Sequence, residues 1–226
     1  MFKKNLMKSN LLLINPRINE SSQNRRINAM INVTFPTSLG ILASYVMPSV
    51  VDSVKIVDEQ IHPIDDNGLG SFIGELKSPK VIGMSVLTIN CGRAYELAKK
   101  IKMIDAGAVV VLGGIHPTVA PEEALSKEGV DIVVRGEGEE TFRELLLSIR
   151  QLKDYRKIDG ISYRNNGKIV HNLGRLPISD LDSIPPFPYH LFEEDFGKYP
   201  NVSGVFTSRG CPYNCSFCSS RSISGK

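Results

Sequence analysis

Apolar residues along the first 135 positions gather in short unbroken runs: Asn10 to Asn15, Ser53 to Asp58, Lys80 to Leu87, Ala108 to Gly113 and Asp131 to Arg135. Each is rich in Val, Ile or Leu and lacks polar alternation, the pattern of strands buried on both faces of a parallel sheet. Between them, Thr37 to Val46, Arg93 to Ala106, Glu122 to Glu128 and Glu139 to Arg150 carry apolar residues at helical spacing. Pro121-Glu122-Glu123 makes a good helix start. The segment Ile61 to Lys77 is less clear, because Gly68, Gly70 and Gly74 weaken any helix there. Strands and helices alternating at these lengths predict βαβ crossovers and a doubly wound, Rossmann-like α/β sheet.

The pattern changes after residue 150. Gly160 to Arg164 and Lys168 to His171 flank Asn165-Asn166-Gly167, which reads as a β-hairpin with an Asn-Gly turn. Pro177, Pro185, Pro186 and Pro188 then mark an extended connector. A last strand is predicted over Gly204 to Ser208, running into three clustered cysteines. The organisation expected is therefore an α/β domain over 1–150, a hairpin and Pro-rich connector over 151–203, and a strand with a cysteine loop over 204–226.

Composition adds limits. With 226 residues, 42% hydrophobic, the chain can bury one full core and part of a second. A net charge of +3, from 27 basic and 24 acidic residues, is too small and scattered to argue for nucleic-acid binding. No apolar run approaches the roughly 18 to 20 residues that span a bilayer, and Leu11 to Ile14 is too short for a signal-peptide core. A cytoplasmic protein is expected. Three of the four cysteines fall within eight residues, where disulfides would close strained, tiny loops, so the cluster points to metal.

That cluster reads Ser208-Arg209-Gly210-Cys211-Pro212-Tyr213-Asn214-Cys215-Ser216-Phe217-Cys218. Spacings of four and three let the thiols converge from one loop, with Gly210 and Pro212 as turn residues. Three thiolates leave one iron of an iron–sulfur cluster open to a ligand. A closed zinc site would need a fourth ligand, which Ser219 to Lys226 lacks and for which His190 and Cys91 are only distant candidates. A zinc knuckle completed from afar, or cysteines that are merely buried, are the plainer alternatives.

The Cys-x-x-x-Cys-x-x-Cys motif after Ser-Arg-Gly closely resembles the radical S-adenosylmethionine enzymes. The resemblance implies that Cys211, Cys215 and Cys218 ligate three irons of a 4Fe-4S cluster, whose fourth iron takes the amino and carboxylate groups of S-adenosylmethionine. It implies further that an electron, from a flavodoxin or ferredoxin-like donor, cleaves a carbon–sulfur bond to yield a 5′-deoxyadenosyl radical. Phe217 would pack near the adenine.

In a doubly wound sheet, ligands bind beyond the carboxyl ends of the strands. Three loops sit there: Ser85-Val86-Leu87, Gly113-Gly114-Ile115-His116-Pro117-Thr118 and Gly136-Glu137-Gly138-Glu139. Paired glycines let backbone approach a bulky ligand, although each pair alone is also ordinary turn chemistry. Together the loops resemble the cobalamin-binding domain that precedes a radical S-adenosylmethionine barrel, and the likeness extends through the Leu181 to Pro185 connector. It implies cobalamin contacts at Ser38, Leu39, Ser85, Leu87, Gly113, Gly114, His116, Gly136, Glu137 and Gly138. His116 would touch the corrin or its phosphate, or else satisfy backbone at a helix start. Glu137 and Glu139 would bind the ligand's hydroxyl or amide groups, or else complement a helix dipole. Cys91 reads as a buried small side chain. The Asp-x-His-x-x-Gly motif of other cobalamin domains has no match. Its region here is Ser38-Leu39-Gly40-Ile41-Leu42-Ala43, and Asp58 and His62 do not fit the spacing, so no histidine ligand to cobalt is expected.

The function implied is that of the N-terminal part of a cobalamin-dependent radical enzyme, a methyltransferase or a relative with other carbon-centred radical chemistry acting on a small molecule. The barrel of that family needs several βα units after the cysteine loop and about one is present. The chain is therefore expected to be a fragment, a truncated product or half of a split enzyme whose barrel comes from a second chain. The alternatives are a cobalamin-binding module with a vestigial cluster loop and a small zinc-containing interaction protein.

Overall fold

A computed structural model describes residues 10–18, 33, 35–47, 49–200 and 207–225. The first strand, β1 (Leu11–Asn15), has Leu11, Leu12, Leu13 and Ile14 wholly buried because both of its faces are covered. On one side β1 pairs in parallel with β2 (Val54–Asp58), and on the other with β3 (Val81–Ser85). The parallel sheet continues through β4 (Val109–Gly113) and β5 (Ile132–Val134). The order is β2-β1-β3-β4-β5-β6-β7, in which β6 (Ile161–Asn165) and β7 (Lys168–His171) are the antiparallel hairpin. The hairpin is thus an extension of the α/β sheet: Val133 pairs with Ser162 and Val134 with Ile161.

Helices cover both faces. On one side α1 (Thr37–Val46) and α6 (Glu139–Arg150) bury Leu39, Ala43, Phe142, Leu145 and Ile149 against Leu13, Val81, Val111 and Val134. On the other, α2 (Asp66–Glu75), α3 (Cys91–Ile104) and α5 (Pro121–Ser126) bury Leu69, Ile73, Leu97, Ile101 and Leu125. Between β4 and α5 lies the single-turn α4 (Ile115–Val119). The doubly wound arrangement expected from the sequence is the one observed. Among the described residues no helix is long and apolar enough to cross a membrane.

Several elements differ from expectation. The doubtful segment before β3 holds α2. Asp65 caps it by accepting from the Gly68 N–H at 2.7 Å, and Leu69 and Ile73, one turn apart, supply the buried stripe. The helix predicted over Glu122 to Glu128 ends at Ser126, since Lys127 is extended and Gly129 turns the chain with φ +89. The strand predicted over Gly204 to Ser208 lies in part outside the described residues, and Thr207 and Ser208 are irregular. The Asn-Gly turn is as expected, with Asn166 and Gly167 both at positive φ.

The connector folds back over α1. Phe187 rests on Gly40, where a Cβ would come within 2.1 Å of its ring, and stacks with Phe192 at 5.5 Å. Phe35, Phe192 and Tyr199 form a small buried cluster there, and the Tyr199 hydroxyl donates to Asp58 Oδ2 at 2.9 Å. A short helix, α7 (Ser220–Ser224), closes the described chain.

Candidate cofactor site

The strand order reverses between β1 and β3, since β1 leads outward to β2 and the chain then returns to the other side of β1. Open sheets bind ligands at the carboxyl ends of the strands beside such a reversal. A cavity of about 540 Å³ opens there. Its floor comes from Leu13, Gly83, Val111 and Val134 of the sheet, and Leu39, Leu42 and Phe142 of α1 and α6 make the sides. Gly83 keeps the floor low. A Cβ at this position would lie 2.8 Å from Leu13 Cδ2 and 3.3 Å from Phe142.

The predicted loops meet at the rim. Ser38, Leu39, Ser85, Leu87, Gly113, Gly114, Gly136, Glu137 and Gly138 all line this one cavity. Ser38 Oγ and Ser85 Oγ are 3.3 Å apart, tying the start of α1 to the end of β3. Gly114 has φ +98 and ψ −168, a conformation nearly exclusive to glycine, and a Cβ would stand 2.9 Å from both Val86 N and Val86 O. Thr118 Oγ1 donates to Gly114 O at 2.8 Å and accepts from the Gly136 N–H at 3.0 Å, so the two glycine loops hold each other.

Two predicted contacts fall elsewhere. His116 is buried outside the cavity lining, because Ile115 takes the cavity side of the turn. Its Nε2 lies 3.0 Å from the Tyr95 hydroxyl and its Nδ1 3.3 Å from Thr88 Oγ1. With Cys91 and Glu123 it forms, among the described residues, a trio whose ligand-type atoms lie within 4.8 Å of one another. Cys91 and Tyr95 pack against the core of the opposite sheet face, so this group is separate from the cavity. Phe217 is 91% exposed and is not among the residues that line the cavity.

The cysteine loop forms the remaining wall. Ser208, Arg209, Gly210, Cys211, Ser220, Ile223 and Ser224 face the same cavity as the glycine loops. Cys211, Cys215 and Cys218 share a small adjoining crevice with Tyr213, Asn214 and Arg221. The Cys218 N–H donates to Cys215 O at 3.1 Å, which makes the turn between the last two thiols. Ser220, 3.2 Å from Cys218 Sγ, holds that thiol below the ordinary cysteine range, which favours the thiolate a metal requires. Three soft donors in one open crevice fit an iron–sulfur cluster.

Arg209 is the residue whose role the sequence did not announce. Its Nη2 donates to Glu139 Oε1 at 2.6 Å and its Nη1 is 3.4 Å from Glu137 Oε1. Burial works against the charged guanidinium, but the two carboxylates outweigh it and raise its pKa. Glu137 Oε2 accepts the Ile178 N–H at 2.8 Å, so the same residue anchors the connector. The local signal was the arginine of Ser-Arg-Gly, but its partners lie about seventy residues away.

Known proteins resemble this chain in sequence and in fold. Residues 36–146 match the family described as the B12 binding domain. An uncharacterized methyltransferase of Pyrococcus horikoshii, PH0819, is 37% identical over 194 residues, covering 84% of this chain and 42% of that protein. The anaerobic magnesium-protoporphyrin IX monomethyl ester cyclase of Rubrivivax gelatinosus is 31% identical over 192 residues, covering 81% and 34%. The chain carries a B12 binding domain and is similar over most of its length to these methyltransferase and cyclase relatives. Among solved structures, the radical enzyme OxsB with aqua-cobalamin and S-adenosylmethionine bound superposes with a TM-score of 0.74 at 24% identity. It covers 92% of this chain and 28% of that one. The methyltransferase TsrM of Kitasatospora setae, with cobalamin and a [4Fe-4S] cluster bound, gives a TM-score of 0.60 at 21% identity, covering 78% and 30%. These two share its fold. The chain spans less than half the length of each of these proteins.

Proposed function

We propose that this chain is the cofactor-binding portion of a cobalamin-dependent radical S-adenosylmethionine enzyme, a methyltransferase or a relative with allied radical chemistry. Residues 1–150 hold cobalamin, 151–203 tie the sheet to the cysteine loop, and 204–226 carry the 4Fe-4S cluster and its S-adenosylmethionine. The observation that carries this reading is that the cysteine loop and the three strand-end loops wall a single cavity. Bound there, cobalamin would supply a transferable methyl group, and the cluster with S-adenosylmethionine would supply one-electron chemistry.

The chain's own residues bind and orient. Leu39, Leu42, Val111 and Phe142 make an apolar slot that excludes water from the tail of a large ligand. Gly113, Gly114, Gly136 and Gly138 keep side chains out of its path, and the Ser38 and Ser85 hydroxyls offer hydrogen bonds at its mouth. Cys211, Cys215 and Cys218 are the thiolates for iron, set beside that mouth. The substrate, an electron donor of flavodoxin or ferredoxin type and a further chain supplying barrel strands would be met by other parts of the enzyme.

Titration with hydroxocobalamin and anaerobic reconstitution with iron and sulfide test the two halves separately. About four irons per chain are expected, lost when the three cysteines are changed to serine. Leu42→Trp, which fills the slot, should weaken cobalamin binding at least about tenfold and leave the unfolding midpoint in place. A folded protein that takes up zinc but no iron would sink the cluster assignment, and one indifferent to hydroxocobalamin would sink the other.

A further inference from the structure

The cysteine loop meets the sheet through three charges that share one partly dry corner. Arg209 stands two residues before Cys211, and its side chain is 19% exposed where it meets Glu137 and Glu139, at 7% and 11%. All three line the cavity. Two carboxylates face one guanidinium, so the corner carries an excess negative charge. Glu137 Oε1 is buried without a hydrogen bond, since the Arg209 Nη1 contact at 3.4 Å does not have hydrogen-bond geometry.

An occupant of the cavity that donates an N–H or O–H to Glu137 Oε1 would complete this corner, and a displaced Arg209 would leave two buried carboxylates unneutralised. The wall that Arg209 holds in place is also the segment that begins the cysteine motif. Occupancy of the cavity and the position of the thiols therefore depend on the same pair of carboxylates. We propose that Arg209 is a positioning residue that clamps the cysteine loop onto Glu137 and Glu139, and that through this clamp cobalamin binding and cluster assembly strengthen each other. The inference rests on the cofactor reading above. Such coupling is reciprocal by thermodynamic necessity, so each ligand raises the affinity for the other by the same factor.

The full chain is titrated with hydroxocobalamin in its iron-free and anaerobically reconstituted forms. The reconstituted wild type should bind on the order of tenfold more tightly, and cobalamin should slow iron loss to a chelator. In Arg209→Ala the two forms should bind alike, whereas Arg209→Lys should keep part of the difference. Should Arg209→Ala fail to fold, the triple variant Arg209→Ala, Glu137→Gln, Glu139→Gln removes the stranded charge along with the clamp and should also show no coupling. General damage to the fold lowers both affinities together and leaves their ratio intact, so the ratio is the diagnostic quantity. Equal affinities in the two wild-type forms, or a ratio that survives in the variants, would overturn the clamp. A folded wild type that takes up no cobalamin or no iron would instead overturn the cofactor reading and this inference with it.

Discussion

At Gly114 the backbone conformation is one that a side chain opposes twice, by its φ of +98 and by the 2.9 Å approach to Val86. Gly114→Ala is expected to destabilise the fold by about 1–3 kcal/mol, read as a lower urea midpoint, and an unchanged midpoint would remove the strain argument. The neighbouring Gly113 is different, since its nearest would-be contact is 3.8 Å away. In sequence the two glycines looked alike. Similarly, nothing in Ile115-His116 says which side chain takes the cavity. The helical turn sends them to opposite sides, and the imidazole finds Tyr95 and Thr88. Side-chain direction at a loop is set by three-dimensional placement, which periodicity does not encode.

Regular elements were more legible. Thr37–Val46 and Glu139–Arg150 have the bounds that their apolar spacing predicts, because each buries a full stripe against the sheet. The second helix was obscured by its glycines, and the structure requires neither Gly70 nor Gly74, since a Cβ at either would meet nothing within 4 Å. Each therefore lowers helix stability without serving a close contact. Gly70→Ala and Gly74→Ala should each stabilise the protein by roughly 0.5–1 kcal/mol, seen as a higher melting temperature. A decrease would mean that these positions have a contact not evident in the fold. The opposite holds for Gly40, over which Phe187 lies. Gly40→Ala should lift the connector and expose residues 181–199 to proteases, and equal digestion of variant and wild type would show that the ring simply shifts.

For the molecule as a whole, alkaline pH is the condition most directly tied to the interior. Burial raises the pKa of Tyr199 far above the ordinary phenol value, and also raises Tyr95, Tyr45 and Tyr155. A folded state that holds these protons more tightly than the unfolded chain keeps their full contribution below about pH 10 and loses it as pH rises further. Tyr199, with 6% exposure, should account for about 1.4 kcal/mol per pH unit in that range. The other three are half-buried and contribute less. Stability measured by urea at pH 9 and pH 11 should fall steeply for wild type and less steeply for Tyr199→Phe, and parallel slopes would refute the assignment. The parallel sheet, its two covered faces and the glycine loops at its carboxyl ends could be read from the chain. The cysteine loop as a wall of the same cavity could not, because the Arg209 to Glu139 contact spans seventy positions and the Ser-Arg-Gly run does not say which carboxylate it meets.

The strand order also sets how the protein can emerge from a ribosome. Once β1 to β3 have formed, every later strand adds to the same growing edge, and that edge ends for a time at the three-residue β5 with no neighbour. An apolar edge left open is a template for pairing with another chain. The hairpin closes it with β7, whose Lys168 and His171 are exposed. Released chains truncated before about residue 160 should therefore aggregate more than the full chain, as read by light scattering.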